Sequence, residues 1–144
     1  MTQKLSPMQT THSLRELVSN VVRDLLPLAV NRGSFFINDI NPDINVNTNN
    51  DMLADVFSNM LKKAVLHTEN DCIKISAQKI SDIIFLRVKE TIQCSCPEMI
   101  SSMQEIQPSA EKMRAYISIR DRKLNRIDVD LVFYNGNKGR AKAA

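Results

Sequence analysis

Glycine is scarce in this chain. Three occur in 144 residues, Gly33, Gly136 and Gly139, and none sits in a nucleotide-binding pattern. Phosphate-cradling loops need glycine so that the backbone can approach closely. A conventional nucleotide enzyme is therefore disfavoured. Cysteine is equally sparse, and Cys72, Cys94 and Cys96 are an odd number, which argues against a disulfide framework. Histidine is limited to His12 and His67, so no Ser/His/Asp set is in view. No apolar run approaches the roughly 20 residues that span a bilayer. The opening MTQKLSPMQTTHS has no apolar stretch of the signal-peptide kind. No membrane partner and a cytoplasmic location are expected. Charge of one sign is lacking as well: 19 Lys and Arg against 16 Asp and Glu give +3, too little to imply nucleic acid.

What is present suits one hydrophobic core, for which 144 residues suffice without metal or disulfide support. The expected layout is a flexible N-terminus over 1–12, a single domain over 13–135, and a basic flexible tail over 136–144 holding Lys138, Arg140 and Lys142. Ser13 and Glu16 read as a capping box. Leu14, Leu17, Val18, Val21, Val22, Leu25 and Leu28 then predict a helix over 13–30. Pro27 should kink it or end it early, and Asn31-Arg32-Gly33 is a plausible stop. Residues 34–40 are β-prone, with Phe35 and Ile37 on one face. Ile44, Val46 and Thr48 alternate with asparagines, as in a short half-buried strand.

A second helix starts at Asn50 or Asp51 and ends near Thr68. Its stripe is Met52, Leu53, Val56, Phe57, Met60, Leu61, Ala64 and Val65; the methionines are packing residues. Residues 72–79 alternate, and residues 83–89 are nearly continuous apolar, as a central strand would be. Residues 90–112, with Pro97 and Pro108, read as irregular apart from a helical turn over 98–105. Residues 115–121 and 126–134 form a closing hairpin, on which Asp128 and Asp130 share an outward face. Such a face is solvated in most proteins. The order predicts an α+β fold: a two-layer α/β sandwich with a mixed, mostly antiparallel sheet and helices on one face.

This order resembles the ATP-binding domain of sensor histidine kinases, the family with the Bergerat nucleotide fold. The most specific piece is Asn59-Met60-Leu61-Lys62-Lys63-Ala64-Val65-Leu66-His67-Thr68, which is similar to the family's asparagine box. Residues 72–91 look like the hairpin that leads into the first glycine box. The resemblance implies ATP and magnesium as cofactors, but this sequence departs from the family where the chemistry lies. Lys63 stands where a second asparagine holds the magnesium. A carboxamide oxygen can ligate a hard cation, whereas an ammonium is only a donor and repels it. Leu66 replaces a basic residue, and His67 falls where a residue lining the nucleotide is common. Glu90 and Thr91 stand at the adenine-binding aspartate and beside it. Ile92 and Cys94 replace both glycines of the box, and Pro97-Glu98 matches the usual continuation.

The family next has a flexible lid, a second glycine-rich box and another helix, and there is little room for these between Pro97 and Tyr116. The preceding hairpin with a phosphoacceptor histidine has no counterpart, since His12 lies in the wrong context. The residues named for a vestigial nucleotide pocket are Asn59, Lys63, His67, Glu90 and Thr91, with no catalytic residue and no metal site. Lys63 reads as a solvated residue at an abandoned site or as a phosphate-binding lysine. His67 reads as a helix-end histidine or a ligand contact, and Glu90 as a strand-end carboxylate or an adenine acceptor. Cys94-x-Cys96 with Cys72 and His67 is a poor match to zinc spacing. The expectation is a domain with no cofactor bound, an adaptor or regulator whose partner is a response regulator or a kinase. Residual ATP and magnesium binding is one alternative. An oligomerisation module, for instance a homodimer, is the other.

Overall fold

The computed structural model describes residues 12–47, 50–91, 96–122 and 126–135. Its elements are β1 (His12–Ser13), α1 (Leu14–Asn31), β2 (Phe35–Asn38), β3 (Asn45–Val46), α2 (Asn50–Leu66), β4 (Cys72–Ile80), β5 (Ile83–Thr91), α3 (Cys96–Gln104), α4 (Gln107–Lys112), β6 (Ala115–Arg122) and β7 (Arg126–Tyr134).

Helix α1 begins where the Ser13 hydroxyl accepts from the Glu16 amide at 3.3 Å, which satisfies one of the free amides of the first turn. It ends in a Schellman turn. The Gly33 amide donates to the Val30 carbonyl and the Ser34 amide to the Ala29 carbonyl, at 3.0 and 2.9 Å. Gly33 takes φ +70°, and a Cβ there would collide with the Asn70 side chain, so this position needs glycine. Of the two effects expected of Pro27, an early end does not occur: α1 runs on to Asn31. The proline ring frees the Arg23 carbonyl, but Arg23 and Pro27 are both exposed, so water can bond that carbonyl. Leu25 and Ala29 keep the stripe buried on either side.

The main sheet has five strands in the order β2-β4-β5-β7-β6. The β2–β4 pair is parallel and the others are antiparallel, as the mixed, mostly antiparallel sheet required. Register aligns Ile75, Val88, Val129 and Ile119 in one row, and Ala77, Leu86, Leu131 and Ile117 in the next. These rows face the stripes of α1 and α2 in one continuous core. Each fully buried Leu, Ile or Phe contributes about 1.5–3 kcal/mol. β1 and β3 form a separate two-stranded ribbon with His12 opposite Val46. His12, expected in the flexible N-terminus, thus already belongs to the domain; residues 1–11 and the tail lie outside the described residues.

Phe35 and Ile37 do share a face, but it is the outer one, where they are exposed. Asn38 turns inward instead, donating to the Arg15 carbonyl and the Ser19 hydroxyl. The same outer face corrects the expectation for Asp128 and Asp130, each only 4% exposed. Arg87 donates twice to Asp130, at 2.8 and 3.0 Å. Arg120 lies 3.6 Å from Asp130 and 3.9 Å from Asp128. Alternation puts both aspartates outward, and pairing across strands buries them. Hydrogen bonding to Asp130 raises the Arg87 pKa above its ordinary value; burial opposes this, and the charges of Asp130 and Asp128 reinforce it.

Two further features position the ends of the site. Asn135 clamps the chain after β7. Its side chain donates to the Asn45 carbonyl at 2.8 Å and accepts from the Asn47 amide at 2.7 Å. The segment expected to be irregular forms α3 and α4. Pro97 and Pro108 occupy first turns, where a missing amide costs no intrahelical bond. Met103, Ile106 and Ala110 from this segment are buried in the core.

Candidate functional site

Helix α2 carries the core on one side, with Phe57, Met60, Leu61 and Ala64 fully buried. On its other side Asn59 and Lys63 follow at an interval of four, and His67 comes four later, just past the helix end. Residues four apart on a helix are neighbours on its surface. Asn59 is exposed. Lys63 is not a free, solvated side chain. Its Nζ lies 3.0 Å from Glu105 Oε1, and its side chain is 27% exposed against 70% for Glu105. His67 Nε2 lies 3.2 Å from Ser102 Oγ, a hydrogen bond whose direction depends on the imidazole tautomer.

Ser102 belongs to α3 and Glu105 follows its last residue. Two polar rungs therefore join the asparagine-box side of α2 to one short segment. Met103, between them in sequence, is fully buried. Behind the rungs, Thr68 is buried and donates to the Ala64 carbonyl at 2.7 Å, and Arg32 donates to the Thr68 carbonyl at 3.0 Å. Chemically, the position that the resemblance gives to a magnesium ligand holds a cation. A carboxylate of the same chain partly neutralises it. The arrangement offers ammonium and imidazole donors to an anion, and any such anion would compete with Glu105.

Strand β5 does not stop before Glu90 as expected. It runs on through Thr91, with Glu90 in register between Ile73 and Ile127, and Thr91 opposite Arg126. The structure thus places Glu90 and Thr91 at the end of a central strand and joins Lys63 and His67 to α3. The side chains of Glu90, Thr91 and Cys96, and residues Ile92 and Cys94 entirely, lie outside the described residues. Cys72 is described: burial pushes its thiol pKa up, Asp71 adds to this, and Lys74 opposes it. Among the described residues, no three His, Cys, Asp or Glu side chains are grouped as a metal site would need. Among them, too, no helix is long and apolar enough to cross a membrane.

Ser102 and Glu105 escaped the reading of the sequence. The helical turn expected over 98–105 does place them one turn apart. Nothing local to that turn, however, says that it faces α2.

No family model matches the chain. The sensor histidine kinase RcsC of Escherichia coli K12 is 32% identical over 81 residues, which are 55% of this chain and 8% of that protein. RcsC of Salmonella typhimurium matches to the same extent. Among solved structures, the histidine kinase AdeS of Acinetobacter baumannii superposes with a TM-score of 0.75 at 10% identity, over 89% of this chain and 68% of that one. The catalytic domain of histidine kinase ThkA gives 0.71 at 17% identity, over 88% and 96%. ThkA in complex with the response regulator protein TrrA gives 0.70 at 18% identity, over 88% and 42%. The chain has the fold of a histidine-kinase ATPase domain.

Proposed function

We propose that this histidine-kinase-type ATPase fold works in two-component-type signalling as a regulatory or adaptor domain, with nucleotide binding lost or weakened. The observation that carries the reading is the pair of rungs between α2 and α3, Lys63 to Glu105 and His67 to Ser102. They tie up two of the side chains that the resemblance turns toward a nucleotide, and one is an ammonium at the magnesium position. Fold alone does not establish function; these donors and the scarcity of glycine support the reading. A response regulator or another kinase is the fitting class of partner, since ThkA is known in complex with a response regulator.

A second reading, residual ATP binding, is favoured by the shared side of Asn59, Lys63 and His67. There Lys63 would supply charge in place of the metal, and binding would be independent of magnesium. Isothermal titration of ATP, with and without magnesium, separates the two. No heat at high-micromolar protein is expected. Micromolar binding that Lys63→Ala removes would overturn the proposal and make this a nucleotide sensor with a rewired pocket.

A further inference from the structure

Among the described residues, strand β6 is the last strand on its side of the sheet. Along an antiparallel strand, successive residues turn their backbone groups alternately toward the partner and away from it. The Ile117 amide is turned away from β7: it donates to Gln107 Oε1 at 3.0 Å. That oxygen stands where the carbonyl of a further strand would stand. Two residues on, the Ile119 amide has the same orientation. Among the described residues no further strand pairs with this edge, and such an edge is a template for strand addition.

Beside the edge lies a groove of about 470 Å³, lined by Ile100, Met103, Gln104, Gln107, Ile117 and Ile119. Its walls are mainly apolar, with glutamines at the rim. The exposed cations just before the strand are Lys112 and Arg114, with Glu111 beside them, and Arg120 near its end lies against Asp128 and Asp130. The nearby acids are mostly engaged. Glu105 pairs with Lys63, and Asp128 and Asp130 lie against Arg120. Glu111 accepts from Gln107 at 3.4 Å, and the side chain of Asp121, on β6 itself, lies outside the described residues.

We infer that the β6 edge takes an extended acidic segment of a partner protein as a sixth strand, with alternate apolar side chains of that segment seated in the groove under α3 and α4. Main-chain bonds supply affinity and the groove supplies selectivity, as in other cases of strand addition. The basic flank sets the sign of charge that the segment carries. Nothing in this depends on whether nucleotide binds at α2.

The test is fluorescence anisotropy of the full chain with two end-blocked heptapeptides, one alternating Glu and Val, the other Lys and Val. The Glu–Val peptide should bind about tenfold tighter or more. Ile119→Pro removes the outward amide at a position where an edge strand tolerates proline, and should weaken binding about tenfold. Gln107→Ala releases the Ile117 amide and should tighten binding severalfold. Lys112→Glu with Arg114→Glu should reverse the charge preference, and this variant keeps the inference testable if Ile119→Pro fails to fold. The inference is overturned if the Glu–Val peptide shows no saturable binding at millimolar concentration. It is also overturned if both peptides bind alike, or if these variants leave binding unchanged. A sedimenting dimer that Ile119→Pro dissolves, without peptide binding, would overturn it in favour of a second copy of this chain.

Discussion

Helix α2 has two sides that answer to different demands. The inner side, with Leu53, Phe57, Met60 and Leu61 fully buried, supplies apolar volume to the sheet. The opposite side, with Asn59 and Lys63 and then His67 beyond its end, bears polar groups facing solvent or α3. Volume can be supplied by many residues of the right size and polarity. Ligation of a metal can be supplied by very few. The two sides can therefore change independently. This is how a chain only 10% identical to AdeS can share its fold at a TM-score of 0.75 while a lysine stands where the resemblance has a metal ligand.

The comparison breaks if both sides weigh alike in stability. Phe57→Ala should cost about 3–5 kcal/mol, because it removes a fully buried aromatic and leaves a cavity. Denaturant unfolding followed by circular dichroism measures this. A loss below about 1 kcal/mol would mean that α2 is not seated in the core as described.

A third region sharpens the contrast, because charge can belong to the fold as well as to a site. Asp130 is nearly buried and held by two bonds from Arg87. Arg87→Ala leaves that carboxylate with Arg120 as its main counter-charge. Breaking a buried pair costs about 3–5 kcal/mol. The Arg87 side chain is 24% exposed, which lowers the expected loss to about 2–3 kcal/mol. The same unfolding measurement should show it, with little change between low and moderate salt.

Much of this was legible beforehand, for reasons that differ by element. Helix α2 and the strands from 72 to 91 and from 115 to 134 announce themselves through local period, 3.6 or 2, and local period survives without knowledge of the partner. Ser13 and Gly33 were readable because caps use few residue types. Pro97 and Pro108 misled, because a proline in a first turn and a proline in a loop look the same in one sequence. Asp128 and Asp130 misled because their burial depends on partners on other strands, Arg120 for both and, for Asp130, also Arg87, 43 residues away. The two rungs were illegible for the same reason: Lys63 and Glu105 are 42 residues apart. What the sequence did carry about the site is the identity of Lys63 and the scarcity of glycine, since those are identities rather than contacts.

Lys63→Ala should have the smallest effect on stability, within about 1 kcal/mol, because Glu105 is mostly exposed and the pair is screened by solvent. The change should be visible in α3 rather than in the whole fold. Removing one of two rungs should speed amide hydrogen exchange over 100–105 and leave the β5–β7 amides unchanged. Met103 limits the opening, since it is fully buried in the core. Lys63→Asn separates occupancy from chemistry. It puts a carboxamide where the resemblance has a metal ligand, yet Ile92 and Cys94 stand where the resemblance has glycines. Faster exchange in α3 is therefore expected without any return of magnesium-dependent ATP binding. If this single change did bring that binding back, the polar side of α2 would have lost one ligand and not its site.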